Sequence, residues 1–333
     1  MPKPRSQQIS LLDTPYHICS RTVRKAFLCG VDKETGVSFE HRRTWIEKRI
    51  FQLARVFAID LCAHAVMHNH LNLVLHVDCK QVKNWSTDEV LKRWHQLFKG
   101  TYLTRQYQNK QPLDKFQLAM VESSAEIYKK RLTDISWFMR SLNEPIARQA
   151  NKEDKCTGHF WEGRFKSQAL FDEGALLSCM AYVDLNPVRA RVADTPEQSD
   201  FTSIQLRIKA AIKGTQPQSL LAFTGNEHQH KANQHKKVGI SFRLKNYLTL
   251  VDETGRILRE DKRGAISAKA ESILARLHIS DESWLKLTTD FEGIFTGAAG
   301  AAGTAEHLCE FSKHVGLQRA HGIANTQACL NSA

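Results

Sequence analysis

The sequence lacks the paired cysteines and the long apolar runs that mark two large classes of protein. Its eight cysteines are scattered through 333 residues without a C-x-x-C pair, so neither a zinc ribbon nor a disulfide framework is indicated. No stretch approaches about eighteen uninterrupted apolar residues, and no apolar segment follows the basic start MPKPRSQQIS. We therefore expect neither a signal peptide nor a membrane span, and we expect a cytoplasmic protein with no membrane partner.

The chain carries an excess of positive charge. Lysine and arginine number 47 against 35 aspartates and glutamates, which gives a formal net charge of +12. This balance favours a polyanionic partner such as nucleic acid over a small neutral substrate. The composition is otherwise that of an ordinary globular protein, with 42% hydrophobic and 25% charged residues, so the chain can bury a substantial core.

Strand-like and helix-like patterns are interleaved along the first two thirds of the chain. Alternating apolar residues predict strands, and apolar residues at helical spacing predict amphipathic helices. The predicted strands are 16–23, 58–66, 70–77 and 115–122, and the predicted helices are 40–57, 86–98, 125–151 and 172–186. This order predicts an α+β fold in which helices flank an antiparallel sheet.

Changes in composition divide the chain into three predicted parts. Residues 1–213 contain the strand and helix patterns and form the first predicted domain. Residues 214–237 are polar and rich in glutamine and histidine, which is typical of a linker. Residues 238–333 begin with mixed charge and continue as short helical patterns, so we expect a mainly helical C-terminal extension of unknown role.

The predicted strand within MHNHLNLVLHV has two unlike faces. Side chains alternate between the faces of a strand, so the polar and apolar residues separate here. One face carries His68, His70, Asn72, Val74 and His76, and the other carries Leu71, Leu73 and Leu75. The leucine face predicts a core contact, whereas the histidine and asparagine face predicts a polar site.

A second informative stretch is the helical segment FDEGALLSCMAYVDLNPVRA. Asp172 can cap this helix, and Pro187 ends it. Leu176, Met180 and Val183 form its predicted buried stripe, and Ser178, Tyr182 and Asn186 lie on roughly the opposite side. The phenol and the amide, one turn apart, can then act as nucleophile and metal ligand. The alternative is a partly buried helix tyrosine without a chemical role.

Three separated motifs carry a resemblance to a known family. AVMHNHLNLVLHVD, GHFWEGRFKSQAL and AYVDLNPVRA occur in that order. Together they resemble the single-tyrosine transposase domain of the REP-associated tyrosine transposases, over roughly residues 10 to 207. The resemblance implies a ferredoxin-like HUH transposase fold with a C-terminal extension. It also implies DNA transposition and recombination through a 5′-phosphotyrosine, on single-stranded or hairpin DNA.

The resemblance also implies roles for individual residues. By position in the motifs, Tyr182 matches the nucleophile, His70 the first motif histidine, and Asn186 a polar residue that completes a metal site. Asn72 stands where the family has its second histidine, so it is the implied third ligand. A donor set rich in amide oxygens suits Mg²⁺ or Mn²⁺ better than Zn²⁺. Because of Asn72, a DNA-binding protein that recognises palindromic repeats without cleaving them is the alternative function.

Aromatic and basic residues are mixed in the second motif, and two further arginines follow the predicted helix of the third motif. Such mixtures suit single-stranded DNA, because aromatic rings stack on bases and cations pair with phosphates. The predicted DNA-binding residues are Trp161, Arg164, Lys166, Arg189 and Arg191. A hairpin packed on the core through its aromatic residues is the alternative for this segment. An RNA-binding protein that uses the same sheet is a further alternative function, and the sequence leaves monomer and homodimer open.

Overall fold

Five strands form the sheet at the centre of the structure. The computed structural model describes residues 14–23, 27–32, 34–225, 239–259, 266–295 and 298–300. Its strands are β1 (Pro15–Arg21), β2 (Ile59–Val66), β3 (His70–Val77), β4 (Lys166–Leu170) and β5 (Ala298–Ala299). Their order in the sheet is β2-β3-β1-β4-β5, and the pairs are antiparallel except for β4 with β5, which is parallel. The predicted α+β class is confirmed, with a mixed sheet.

Helices cover both faces of this sheet. Those between β1 and β4 are α1 (His41–Val56), α2 (Cys79–Lys83), α3 (Thr87–Trp94), α4 (Tyr102–Gln108), α5 (Lys115–Leu132) and α6 (Ile135–Glu153). Those after β4 are α7 (Glu173–Asp184), α8 (Asn186–Arg189), α9 (Ser203–Ile212), α10 (Leu244–Ile257), α11 (Ala268–Arg276) and α12 (Asp281–Ile294). None of the helices in these described ranges is long and apolar enough to cross a membrane.

The two faces of β3 enter two different hydrophobic clusters. Its leucines, which include Leu71 and Leu73, lie in one cluster with Ile46 of α1 and Phe138 of α6. Val74, on the other face, lies in a second cluster that contains α7 and the helices α10 to α12. The division of this strand into a core face and a second face is therefore confirmed.

Helix α7 lies between the sheet and the C-terminal helices. The Asp172 carboxylate caps it by accepting a hydrogen bond from the Ala175 amide at 2.7 Å, as the sequence predicts. Below α7, Ala63 and Ala65 of β2 belong to the same cluster, and their small side chains allow the helix to approach the sheet. Because α12 covers the other side, α7 is buried nearly all round and has no open face.

Two predicted elements between β3 and β4 are wrong. Residues 115–122, predicted as a strand, form the first half of α5, and the predicted helix 125–151 is divided between α5 and α6. Asp114 and Gln117 form a capping box at the start of α5, a D-x-x-Q signal that was readable in the sequence. At the break between the helices, Asp134 caps α6 by accepting from the Ser136 amide at 2.6 Å.

The described part of the C-terminal extension packs directly on α7 and on the sheet. The Tyr247 hydroxyl of α10 donates to the Asp184 carboxylate of α7 at 2.5 Å. β5 pairs with β4, and the Phe171 amide donates to the Ala299 carbonyl at 2.9 Å. Of the predicted linker, residues 226–237 lie outside the described residues. Its first part runs beside β2, where the Leu221 amide donates to the Leu61 carbonyl at 2.8 Å.

Candidate active site

The candidate site is built on the polar face of β3, beneath α7. Antiparallel pairing places three side chains of β1 beside this face. The neighbouring pairs are Arg21 with His70, Cys19 with Asn72, and His17 with Val74. On the far side of β1, β4 adds Lys166 next to Cys19, and Gln168 next to His17. A strip of polar side chains therefore crosses the sheet.

His70 contacts Asn186 across the gap between β3 and α8. The His70 Nε2 atom lies 3.1 Å from Asn186 Nδ2, and its Nδ1 atom lies 2.8 Å from Asn69 Oδ1. This pattern fits a neutral ring that donates from Nδ1 and accepts at Nε2. Burial and the nearby Arg21 charge lower the pKa of His70 to about 4, so the ring is neutral near pH 7. Its Nε2 lone pair is available to a proton donor or to a cation.

Asn72 is a buried amide beside His17. It is 0% exposed, and within the part of the chain that the structure describes neither its Oδ1 nor its Nδ2 atom makes a well-formed hydrogen bond, although the amide interacts with the His17 ring. Leaving a buried polar group unpaired costs about 1–3 kcal/mol. The residue lies two positions after His70 on the same strand face, so it presents unused donor and acceptor atoms to the layer beneath α7.

Tyr182 is covered by the C-terminal extension. Its side chain is 9% exposed, and its ring contacts those of His17 and Phe291 with centroid separations of 6.0 and 6.2 Å. The hydroxyl donates to Glu292 Oε1 at 3.4 Å, and the Arg189 guanidinium lies 4.1 Å above the ring. Burial, together with the Glu292 charge, raises the pKa of Tyr182 above its ordinary value, and Arg189 opposes that rise. The phenol is therefore protonated at neutral pH.

The three histidines of the β3 segment have different surroundings. His70 reaches Asn186, whereas His76 Nδ1 lies 3.2 Å from an Asp60 carboxylate oxygen on β2. His68 precedes the strand, and its ring lies against Gly30, where a Cβ atom would approach the ring to 2.8 Å. The contact of His70 is with α8, the short helix that directly follows the helix bearing Tyr182.

His70 and Asn186 carry donor atoms of the types that divalent cations bind. Their facing atoms are 3.1 Å apart, which is about the spacing of adjacent ligands in an octahedral shell with bonds of about 2.1 Å. A half-turn of the Asn186 amide presents its oxygen instead of its nitrogen. Within the described ranges, no group of three His, Cys, Asp or Glu side chains is placed to hold a metal.

The predicted DNA-binding residues occupy different environments. Arg164, Lys166 and Arg191 are exposed, and Lys166 lies on the same sheet face as His70. Arg189 is partly buried and donates to the carbonyls of Tyr182 and Thr288, at 3.2 and 2.9 Å, so it also links α7 to α12.

The aromatic residues of the same segment turn toward the core. Trp161 is partly buried, and its Nε1 atom donates to the Asn143 carbonyl of α6 at 2.9 Å. Phe160 is only 4% exposed and packs against the Trp161 ring edge to face, with centroids 5.1 Å apart. These contacts favour the packed hairpin, and stacking of a base on Trp161 stays a prediction.

Two residues of the site were missed by the sequence analysis. Arg21 lies on β1 in the alternation with His17 and Cys19, so extending the face argument from β3 to β1 would have found it. Glu292 belongs to α12 and meets Tyr182 across 110 residues of sequence. No local pattern marks that glutamate, because its role depends on how α12 packs on α7.

Comparison with known proteins adds one distant likeness. The sequence matches no protein-family model and no curated protein. A solved structure, that of a REP-associated tyrosine transposase bound to a REP hairpin, aligns with 68% of this chain and 92% of its own chain. The aligned residues are 10% identical and the TM-score is 0.35, which is too low to assign a fold or the role of any residue.

Proposed function

We propose that this chain cleaves and joins single-stranded or hairpin DNA, with Tyr182 as the nucleophile and a 5′-phosphotyrosine as the intermediate. The observation that carries the proposal is the contact between His70 and Asn186 at 3.1 Å. These two side chains form a pair of possible metal ligands, and Asn186 lies about one helical turn after Tyr182. The resemblance of the three sequence motifs to REP-associated tyrosine transposases supports the same reaction.

Mg²⁺ or Mn²⁺ is the cofactor that this donor set favours, held by His70 and Asn186 with Asn72 as the third ligand. When bound, such a cation polarises a phosphate oxygen and offsets the charge that develops there. His70 contributes a neutral imidazole, because burial lowers its pKa to about 4. Arg21 and Lys166, both exposed on this face of the sheet, are placed to contact the flanking phosphates of the strand.

A DNA-binding protein that does not cleave is the second candidate function. The observation in its favour is the state of Tyr182, which is 9% exposed and has a pKa raised by burial and by Glu292. A protonated phenol is a poor nucleophile unless a base or a cation acts on it. In this second function the basic residues hold DNA, and the tyrosine serves only to pack α7 against α12.

The test is covalent capture of labelled DNA. A hairpin oligonucleotide labelled at its 3′ end is incubated with the protein and Mn²⁺ and then run on a denaturing gel. We expect the 3′-labelled fragment to migrate with the protein, because attack by Tyr182 leaves the downstream 5′-phosphate on the enzyme. A 5′-labelled copy should appear as a shorter free strand that ends in a 3′-hydroxyl.

The decisive variant is Tyr182→Phe, which removes one oxygen atom. We expect it to lose adduct by at least about a thousandfold while its melting temperature and DNA affinity stay near those of the wild type. Tyr102→Phe is the matched control, because it makes the same change at a tyrosine that is 66% exposed. Adduct formed by Tyr182→Phe would contradict the assignment. DNA binding without adduct in the wild type would establish the second function.

A further inference from the structure

The Tyr182 hydroxyl meets one carboxylate, and that carboxylate comes from the C-terminal extension. Glu292 Oε1 lies 3.4 Å from the phenol oxygen, at the long end of a hydrogen bond. Contacts between a nucleophile and its base are often this long before substrate binds. The resemblance in sequence ends before the extension, so it assigns no role to Glu292.

The backbone of α12 has a kink directly before Glu292. Asp290 has φ −138° and ψ 52°, which interrupts the helix just before Phe291 and Glu292. The Asp290 carboxylate then accepts a hydrogen bond from the Gly293 amide at 3.1 Å, so it acts as an N-cap for the last turn of the helix. The interruption places Phe291 against His17, with ring centroids 6.1 Å apart, and Glu292 against Tyr182.

Contacts on both sides of Glu292 hold this turn in place. Before it, the Thr288 carbonyl accepts from Arg189 at 2.9 Å. After it, the Phe295 carbonyl accepts a hydrogen bond from Gln168 of β4, and β5 then joins the sheet. Glu292 itself stays partly exposed, so its carboxylate lies between the buried phenol and the surface.

We propose that Glu292 is the general base that accepts the proton of Tyr182 during DNA cleavage. This proposal rests on the function proposed above. As the phenol oxygen attacks phosphorus, the new O–P bond forms and the bond from phosphorus to the 3′-oxygen breaks. The phenol proton passes to Glu292 Oε1, and the 3′-oxygen takes a proton from water. In the joining step a 3′-hydroxyl gives its proton to water and attacks phosphorus, the bond from phosphorus to the tyrosine oxygen breaks, and Glu292 returns its proton to the departing phenolate.

Several charged or titratable groups surround this carboxylate. They are His17 and Cys19 of β1, His70 of β3, Cys179 and Tyr182 of α7, and Arg189 of α8. Several of these groups can change charge with pH, so a pH profile of the wild type alone does not isolate Glu292. A variant of Glu292 is therefore needed to identify its contribution.

The experiment compares single-turnover rates of adduct formation at saturating Mn²⁺ between pH 5 and pH 9. Glu292→Gln keeps the size of the side chain and removes its basicity, and we expect a loss of at least about a hundredfold. Glu282→Gln is the matched control on the same helix, where Glu282 pairs with Lys286 at the surface. That variant should react at the wild-type rate.

Chemical rescue distinguishes a base from a structural carboxylate. Glu292→Ala opens space beside Tyr182, and added formate should restore its rate in proportion to the formate concentration. Glu292→Asp, whose side chain is shorter by one methylene, should retain part of the rate. This variant provides the test if either of the other two fails to fold.

Each outcome decides the proposal. A wild-type or faster rate in Glu292→Gln would overturn the base and leave the function standing. A slow Glu292→Ala that formate does not restore would likewise assign Glu292 to packing alone. No adduct from the wild type would overturn the proposed function, and the base with it.

Discussion

Asn72 is the residue of the candidate site whose buried polar atoms are least satisfied by hydrogen bonds. It is 0% exposed, and among the described residues its polar atoms make no well-formed hydrogen bond, although the amide interacts with the His17 ring. Buried amides in folded proteins nearly always have partners, because the free-energy cost of removing an amide from water is otherwise not offset by a hydrogen bond. The arrangement makes sense if the amide oxygen binds a cation, since coordination replaces the missing hydrogen bond.

Asn72→Leu tests that interpretation, because leucine has a similar shape and no polar atoms. Without metal, we expect the free energy of unfolding to rise by about 1–3 kcal/mol, since an unpaired amide has been removed. With Mn²⁺, the variant should show a smaller rise in melting temperature than the wild type, because one ligand is lost. Both quantities are measurable by thermal and denaturant unfolding with and without the ion.

Asn186→Leu serves as the contrasting variant. Its amide contacts His70 at 3.1 Å, so its loss should lower stability without metal as well as weaken Mn²⁺ binding. An equal Mn²⁺ effect in Asn72→Leu and in the wild type would show that Asn72 is not a ligand.

The residues of β3 show what a single sequence predicts well at this scale. The alternation of a strand follows from backbone geometry, so the separation of Leu71 and Leu73 from Asn72 was readable and is confirmed. The burial of Asn72 was not readable. It depends on α7 and on the extension that covers α7, and the spacing within a strand contains no information about either.

The docking of α12 on the sheet depends on a buried histidine. His17 Nδ1 donates to the Gln168 side chain at 2.7 Å, and Gln168 in turn donates to the Phe295 carbonyl at the end of α12. Burial lowers the pKa of His17 below 6.5, because a charged ring is poorly solvated in this layer. Protonation of His17 therefore opposes the packing of Phe291 and of the last turn of α12.

This shift predicts that acid weakens the docking of α12. In the unfolded chain His17 binds a proton near pH 6.5, whereas in the folded chain it does so only at lower pH. Its stabilising contribution is therefore complete above pH 6.5 and is lost as pH falls toward the folded-state pKa. We expect stability to fall by up to about 1.4 kcal/mol per pH unit in that range for this group. Hydrogen exchange of residues 284–295 between pH 7.5 and pH 5 measures the loss.

His17→Gln should reduce this pH dependence without removing it, because His70 is shifted in the same direction. His159→Gln, at an exposed histidine, is the control and should leave the slope unchanged. If His17→Gln keeps the wild-type slope, protonation of His17 does not control the packing of α12.

Helix α5 shows why one element was mistaken. KFQLAMVE alternates well enough to predict a strand, but the buried residues of α5 are Val121, Ala125, Tyr128 and Leu132, which follow helical spacing. The window of eight residues was too short to separate the two periods. The capping box at Asp114 and Gln117 was the stronger signal, because it specifies a helix start by mechanism.

Charge at the scale of the whole molecule favours a polyanionic ligand. The formal net charge is +12, and the exposed residues Arg21 and Lys166 lie on the face of the sheet that carries His70. The excess of positive charge was readable from composition. The pairing that brings Arg21 and Lys166 onto one face was not readable, because β1 and β4 are far apart in sequence.

This distribution predicts DNA binding that weakens with salt. For single strands, each phosphate neutralised contributes about 0.7 to the slope of log affinity against log salt concentration. Lys166→Ala and Arg164→Ala should each lower the affinity for DNA and reduce that slope by about 0.7, the contribution of one phosphate. Lys213→Ala, at an exposed lysine on the far end of α9, should leave both unchanged. Fluorescence anisotropy over a salt series measures the slopes, and identical slopes in all variants would remove this face from the DNA-binding surface.

Because α12 covers Tyr182, the surroundings of this tyrosine change while the chain is being translated. A ribosome makes the tyrosine 110 residues before it makes the glutamate that meets it. Until α12 has been made, the nascent chain presents the phenol without Glu292, without the Phe291 ring and without the strand that closes the edge of β4. On the proposed mechanism, such a chain cannot cut DNA efficiently. On that mechanism, the synthesis of α12 is the step that supplies the base for Tyr182, and chains that stop before α12 lack that base.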